Sequence, residues 1–249
     1  MQITDFSNIQ KVDILAVGVH PDDVELSASG TLLRHIAQGK TVGLLDLTRG
    51  ELGSRGSADL RDKEGLAAAR LMGAKFRVNA LMRDGFFAHT EENLRKIIRV
   101  IRAARPEIML LNSKDDRHPD HGRSGKLQAD ACFYSGLLRI ETSDDAGNPQ
   151  EKHRPRAFYH YVQDRDLQPD FTVDISDYID QKIDLIKCFK SQFFDPDDTD
   201  SPVTPISGAD FFDIIKSKNK TFGRPAGFAY AEGFQVGRLP GVKDIFSLF

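Results

Sequence analysis

Residues 12–19 read VDILAVGV and run directly into His20-Pro21-Asp22-Asp23. The first part is short, apolar and rich in branched residues, as expected of a strand covered on both faces. The second is a polar turn offering metal-ligand chemistry. Far along the chain the pairing recurs: residues 107–111, EIMLL, precede His118-Pro119-Asp120-His121. Between the two lie a helix over 24–38 stopped by Gly39, a strand over 41–47, and a helix Ala58–Met72 stopped by Gly73. A strand over 76–81 and a helix Glu91–Ala104, stopped before Pro106, complete the run. Such alternation implies right-handed crossovers and a doubly wound, mostly parallel α/β sheet with helices on both faces, Rossmann-like in plan. In the common strand order 3-2-1-4-5-6 the first and fourth strands are neighbours at the switch point, where ligands bind beyond the strands' carboxyl ends. The two histidine strings are therefore predicted to line one crevice.

Beyond the fourth strand the pattern loosens. A helix is expected over 121–135, then a charged loop over 141–156, strands over 157–162 and 171–175, and a helix over 178–189 with Ser176 as N-cap. A final helix is expected near 210–218. No repeat or linker divides the 249 residues, so one domain spanning 1–249 is expected, and 40% hydrophobic content is enough for a core. A net charge of -3 with scattered basic residues argues against nucleic-acid and membrane partners. Two distant cysteines and the lack of a signal-like leader or transmembrane-length run fit a reducing, cytoplasmic setting. Homo-oligomerisation is left open.

His20 and Asp23, three apart where a strand becomes a helix, can place one nitrogen and one oxygen on a zinc ion, with His121 entering from the opposite lip. Three protein ligands leave a position for water, the mark of a catalytic site. Asp22 then stands beside the metal without binding it, suited to take a proton. Alone, an Asp-Asp pair at a helix start reads as a cap; His20 before it and two histidines opposite shift the balance to the metal. His118 can replace His121 as a ligand, or stay off the metal as a cation that steadies an oxyanion, with Asp120 orienting a ring. The loop Thr48-Arg49-Gly50-Glu51-Leu52-Gly53-Ser54-Arg55-Gly56 adds flexible backbone and guanidinium groups suited to an anionic or polyhydroxyl substrate. It is no dinucleotide fingerprint. Arg61 and Glu64 either support this loop or form a solvated ion pair. A two-metal phosphoesterase would draw instead on Asp46, Asp84, Asp115 and Asp116, and a binding protein with a structural zinc is the non-enzymatic alternative.

His20 to Glu25, Thr48 to Glu51, Leu60-Arg61 with Glu64, and His118 to His121 together resemble the LmbE-like, or PIG-L, family of zinc-dependent de-N-acetylases. Tyr134 to Leu137, Ser191 to Phe193 and Tyr230 to Phe234 extend the likeness toward its bacillithiol-biosynthesis members. The resemblance implies a Rossmann-like fold and removal of acetate from a small-molecule N-acetylglucosaminide, N-acetylglucosaminyl malate. Other N-acetylglucosaminides and thiol-conjugate amides are the alternatives within the family. It implies one zinc or other divalent ion per chain held by His20, Asp23 and His121, Asp22 as base, and His118 as an electrophile off the metal. The malate carboxylates would need cations, for which Arg55, Arg117 and Arg49 are the candidates, with Glu51 beside them in the substrate loop.

Overall fold

The computed structural model describes residues 6–198 and 200–248. These form a mixed seven-stranded sheet in the order β3-β2-β1-β4-β5-β7-β6. The strands are β1 Ile14–Gly18, β2 Val42–Asp46, β3 Phe76–Asn79, β4 Ile108–Leu111, β5 Ala157–Tyr161, β6 Phe171–Asp174 and β7 Ala231–Val236. The first five pair in parallel, with Ala16 opposite both Leu44 and Leu110, so β1 and β4 are neighbours as expected. The far edge departs from expectation. β7, the last strand in sequence and one the periodicity does not announce, inserts antiparallel between β5 and β6.

The helices are α1 Asp23–Ala37, α2 Ala58–Met72, α3 Glu91–Ala104, α4 Pro119–Tyr134, α5 Ile179–Ile186 and α6 Phe211–Gly223. Alternation along β1 assigns them to faces. Leu15 and Val17 pack with Ile97 and Ile101 of α3 and Leu127 and Ala131 of α4. Ile14 and Ala16 pack with Val24, Ala28 and Leu32 of α1 and Met72 of α2. Where local signals are strong the boundaries match: Ser57 and Thr90 accept the Leu60 and Asn93 N–H groups as N-caps, and left-handed Gly73 ends α2. Ser176 does not cap α5; it lies in a short 3-10 turn ahead of it, its hydroxyl bonded to Asp174. α6 runs past residue 218 to Gly223. Cys132 is buried beside Met109, a packing role. Among the described residues no helix is long and apolar enough to cross a membrane.

The antiparallel edge of the sheet is locked to α1 and α5 through a buried ion pair. The Glu232 carboxylate on β7 accepts from the Gly30 and Thr31 N–H groups of α1 at 3.0 and 2.7 Å and from Lys182 Nζ of α5 at 2.5 Å. Both charged side chains are fully enclosed.

Candidate active site

The chain leaves β1 through a tight reversal. A Cβ at Gly18 would stand 2.9 Å from the His20 carbonyl oxygen, so the doubling-back needs glycine there. The reversal folds Asp23 under the strand end, where its carboxylate accepts the Val19 and His20 N–H groups, each at 2.9 Å, the Asn112 amide at 3.0 Å and the Gln163 amide at 2.6 Å. Burial opposes its charge, but the His121 ring, then the His20 ring and the His20 N–H, hold the Asp23 carboxyl well below the usual carboxylate range. Asp23 Oδ1 lies 3.2 Å from His121 Nε2, and Oδ2 lies 3.9 Å from His20 Nδ1.

Asp22 occupies the N-cap position of α1 but does not cap it. Its φ is 139°, a strained conformation for a residue with a side chain, and its carboxylate makes no capping bond. Instead it accepts from Arg61 Nη2 at 2.7 Å. Arg61 also donates to the carbonyls of Pro21 and Gly50, so it braces both the catalytic turn and the loop after β2. Gly50 has no room for a Cβ against that guanidinium. Burial pushes the Asp22 carboxyl up to about 6, with Arg61 opposing and the Asp23 charge adding to the rise.

Three imidazoles meet beyond the sheet, with ring centroids 4.8 to 5.5 Å apart. His20 Nε2 lies 3.0 Å from Asp84 and 3.7 Å from Asp120. His121 Nδ1 is 2.6 Å from Asp116, a carboxylate that also accepts the Arg117, Asp164 and Arg165 N–H groups. Burial opposes charge on both rings, yet Asp120 and Asp84 carry His20 up to about 9, and Asp23 and Asp116 carry His121 up to about 10. His118 goes the other way: burial lowers it, and its two neighbouring rings lower it further. It accepts the Asp120 N–H at Nδ1.

The donors fit a metal. One nitrogen from each of His20, His118 and His121 lies within 4.8 Å of the others, and His20, Asp84 and Asp120 form a second such group. The 3.2 Å between His121 Nε2 and Asp23 Oδ1 is close to the roughly 3.4 Å expected of two ligands on one tetrahedral zinc. Four carboxylates converge on two imidazoles, so this is a place built to hold positive charge, and Asp116 on the far nitrogen of His121 is the usual support of a ligating histidine.

One cavity of about 360 Å³ is lined by this cluster, by Arg61 and Arg117, and on the other side by Phe211, Ile214, Ile215, Lys218 and Phe222. Of the residues expected to bind substrate, the structure brings only Arg117 to it. Arg49 is bonded to Asp59 and Asp62. Arg55 is buried and ties the Ser191 and Pro202 carbonyls to Asp198. Glu51 accepts the Asp84 and Arg49 N–H groups and so shapes the loop. A glycine-rich loop carrying arginines says nothing about partners folded in from residues 191–202. Of the two readings of Arg61 and Glu64, loop support holds for Arg61, which donates to the Gly50 carbonyl, and the solvated pair does not form; Glu64 accepts the backbone N–H and hydroxyl of Ser191. Asp84 and Asp116, considered only for a phosphoesterase, support the histidines, while Asn112, Gln163 and Lys218 carried no signal in the sequence. The turn over 144–152 lies away from the cavity, its Asp145 bonded to Arg99.

Residues 15–132, which carry both histidine strings, match the family model PIG-L, described as GlcNAc-PI de-N-acetylase. A conserved protein of Thermus thermophilus is 34% identical, with a TM-score of 0.80 over 94% of this chain and 98% of its own. The chain belongs to the PIG-L family. Diacetylchitobiose deacetylase of Thermococcus kodakarensis is 29% identical over 95% of this PIG-L chain and 86% of its own length. The 4-oxalmesaconate hydratase of Pseudomonas putida is 26% identical over 74% and 76%. As a PIG-L protein the chain is an enzyme, a deacetylase of the amide-hydrolase class.

Proposed function

We propose that the enzyme removes the acetyl group from N-acetylated sugars, with N-acetylglucosaminyl malate in bacillithiol biosynthesis as its particular substrate, and that the metal is zinc, one per chain. The observation that carries the reading is the meeting of His20, Asp23 and His121 with a strained, buried Asp22 in one cavity. His20, Asp23 and His121 would hold the ion, which when bound supplies Lewis acidity toward the amide carbonyl and an acidified water. Asp22, held by Arg61 and free of any capping duty, accepts a proton from the attacking water at its carboxylate. His118, the one imidazole of the three whose charged form is disfavoured on balance, by burial and by the other two rings, donates a hydrogen bond to the developing oxyanion. The amine leaves with the proton that Asp22 returns to it, while His118 keeps its own N–H on the oxyanion. Arg117 at the mouth is the one expected carboxylate partner that lines the cavity.

Acetate release from N-acetylglucosaminyl malate, free N-acetylglucosamine and diacetylchitobiose by zinc-loaded protein tests the reading. Measurable acetate and amine in equal amounts support it. No amide hydrolysis, with water addition to an unsaturated dicarboxylate, would transfer it to the hydratase. Because Asp84 and Asp120 share a second donor group with His20, the metal count matters too: two ions per chain would favour a phosphoesterase.

A further inference from the structure

Besides the histidine cluster, the cavity holds on α6 an amine that no hydrogen bond among the described residues satisfies. Lys218 of α6 lines the cavity, its Nζ is buried, and it has no hydrogen-bond partner among the described residues. Its Nζ lies 5.8 Å from the Phe222 ring centroid, and Phe211, Ile214 and Ile215 line the same cavity, with Asn219 the polar member of that helix there. The acids that attract it are committed elsewhere. Asp116 holds His121 and three backbone N–H groups, Asp164 pairs with Arg117, and Asp166 is exposed. Burial lowers the amine to about 8, with Asp116 and Asp164 pulling it back up. The chain satisfies its other buried lysine fully: Lys182 donates to Glu232 and to the Leu26 carbonyl. A buried cation left unpaired is costly unless something outside the chain completes it.

We propose that Lys218 is a specificity-determining residue that receives a carboxylate on the part of the substrate beyond the acetamide. This rests on the deacetylase reading for its placement relative to the reacting amide. Arg117 is a weaker candidate for the same task, because it is 59% exposed and already neutralised by Asp164. A buried ammonium with no hydrogen-bond partner of its own binds an anion more strongly than a solvated, paired guanidinium does.

The test compares N-acetylglucosaminyl malate with its neutral dimethyl ester in wild type, Lys218→Met and Lys218→Arg. The expected kcat/KM preference for the diacid is about tenfold or more in wild type, the scale of one charge-assisted hydrogen bond. It should collapse to within about threefold of unity in Lys218→Met and persist in Lys218→Arg. A preference unchanged in Lys218→Met, or equal losses on both substrates in both variants, overturns the proposal. Calorimetric titration with glucosyl malate, which carries a hydroxyl where the acetamide would be, separates this result from the deacetylase reading. If wild type hydrolyses neither substrate, that reading falls. Lys218 is then judged on binding alone: weakening of the diacid by about tenfold in Lys218→Met supports the subsite, and equal affinity in both proteins overturns it.

Discussion

The two walls of the cavity treat charge in opposite ways. On the wall made by the turns after β1 and β4, each acid is bonded: Asp22 to Arg61, Asp23 to four donors, Asp116 to His121, and Asp120 to Arg123 and the Gly85 N–H. On the α6 wall, beside Phe211, Ile214, Ile215 and Phe222, stands one amine with no hydrogen-bond partner among the described residues. The match to the family model ends at residue 132 in α4, past both histidine strings and well before α6. The difference teaches that the chemistry is assembled from groups oriented before any ligand arrives, whereas selectivity is left to be completed by the ligand.

The sharpest way to break this contrast is to remove an oriented group from the first wall. His121→Ala should lower metal content and reduce turnover by more than about a thousandfold, since the metal supplies several kcal/mol of the catalysis. His118→Ala should keep the metal. Metal analysis beside kinetics decides, and retained metal in His121→Ala would move the ligand role to His118. Next in size is the lock that ties β7 to α1 and α5. Lys182→Met leaves Glu232 buried without its cation and should cost about 3–5 kcal/mol in equilibrium unfolding. A change below about 1 kcal/mol would mean that the Gly30 and Thr31 N–H groups satisfy Glu232 alone. Asp22→Asn should lower kcat about a hundredfold with metal content unchanged, the scale of a lost general base. Survival of turnover within a few-fold would remove Asp22 from the chemistry. The smallest effect belongs to Arg117→Ala, exposed and paired, which should cost at most about fivefold on a carboxylate-bearing substrate. A larger loss would put the anion subsite at the mouth and not on α6.

Legibility in the sequence follows the same division. β1 to α4 could be read because each element carries its own signal: an apolar run, a Ser57 or Thr90 cap, a Gly73 stop. The site histidines were legible because each string ends a strand and parallel order brings the strand ends together. β7 was not, since buried Glu232 and mid-strand Gly233 break the apolar run, and both make sense only against α1, α5 and Pro169. Arg55 read as a free cation because its partners lie far along the chain. Lys218 was hidden among Lys216 and Lys220 on a helix whose surface otherwise reads as solvated; which of the three is enclosed depends on the packing of α6 over the cavity.

The position of β7 also bears on how the molecule comes into being. Synthesis delivers β1 and β4 and both histidine strings long before residues 231–236 emerge, while β5 and β6 wait for the strand that joins them. Until then each presents an unpaired edge, the kind of surface that invites association with other chains. The nascent protein can thus gather its histidines early but cannot close the sheet until its seventh strand arrives. Shortening the chain to end at residue 230 would accordingly be read first as aggregation, ahead of any defect in chemistry.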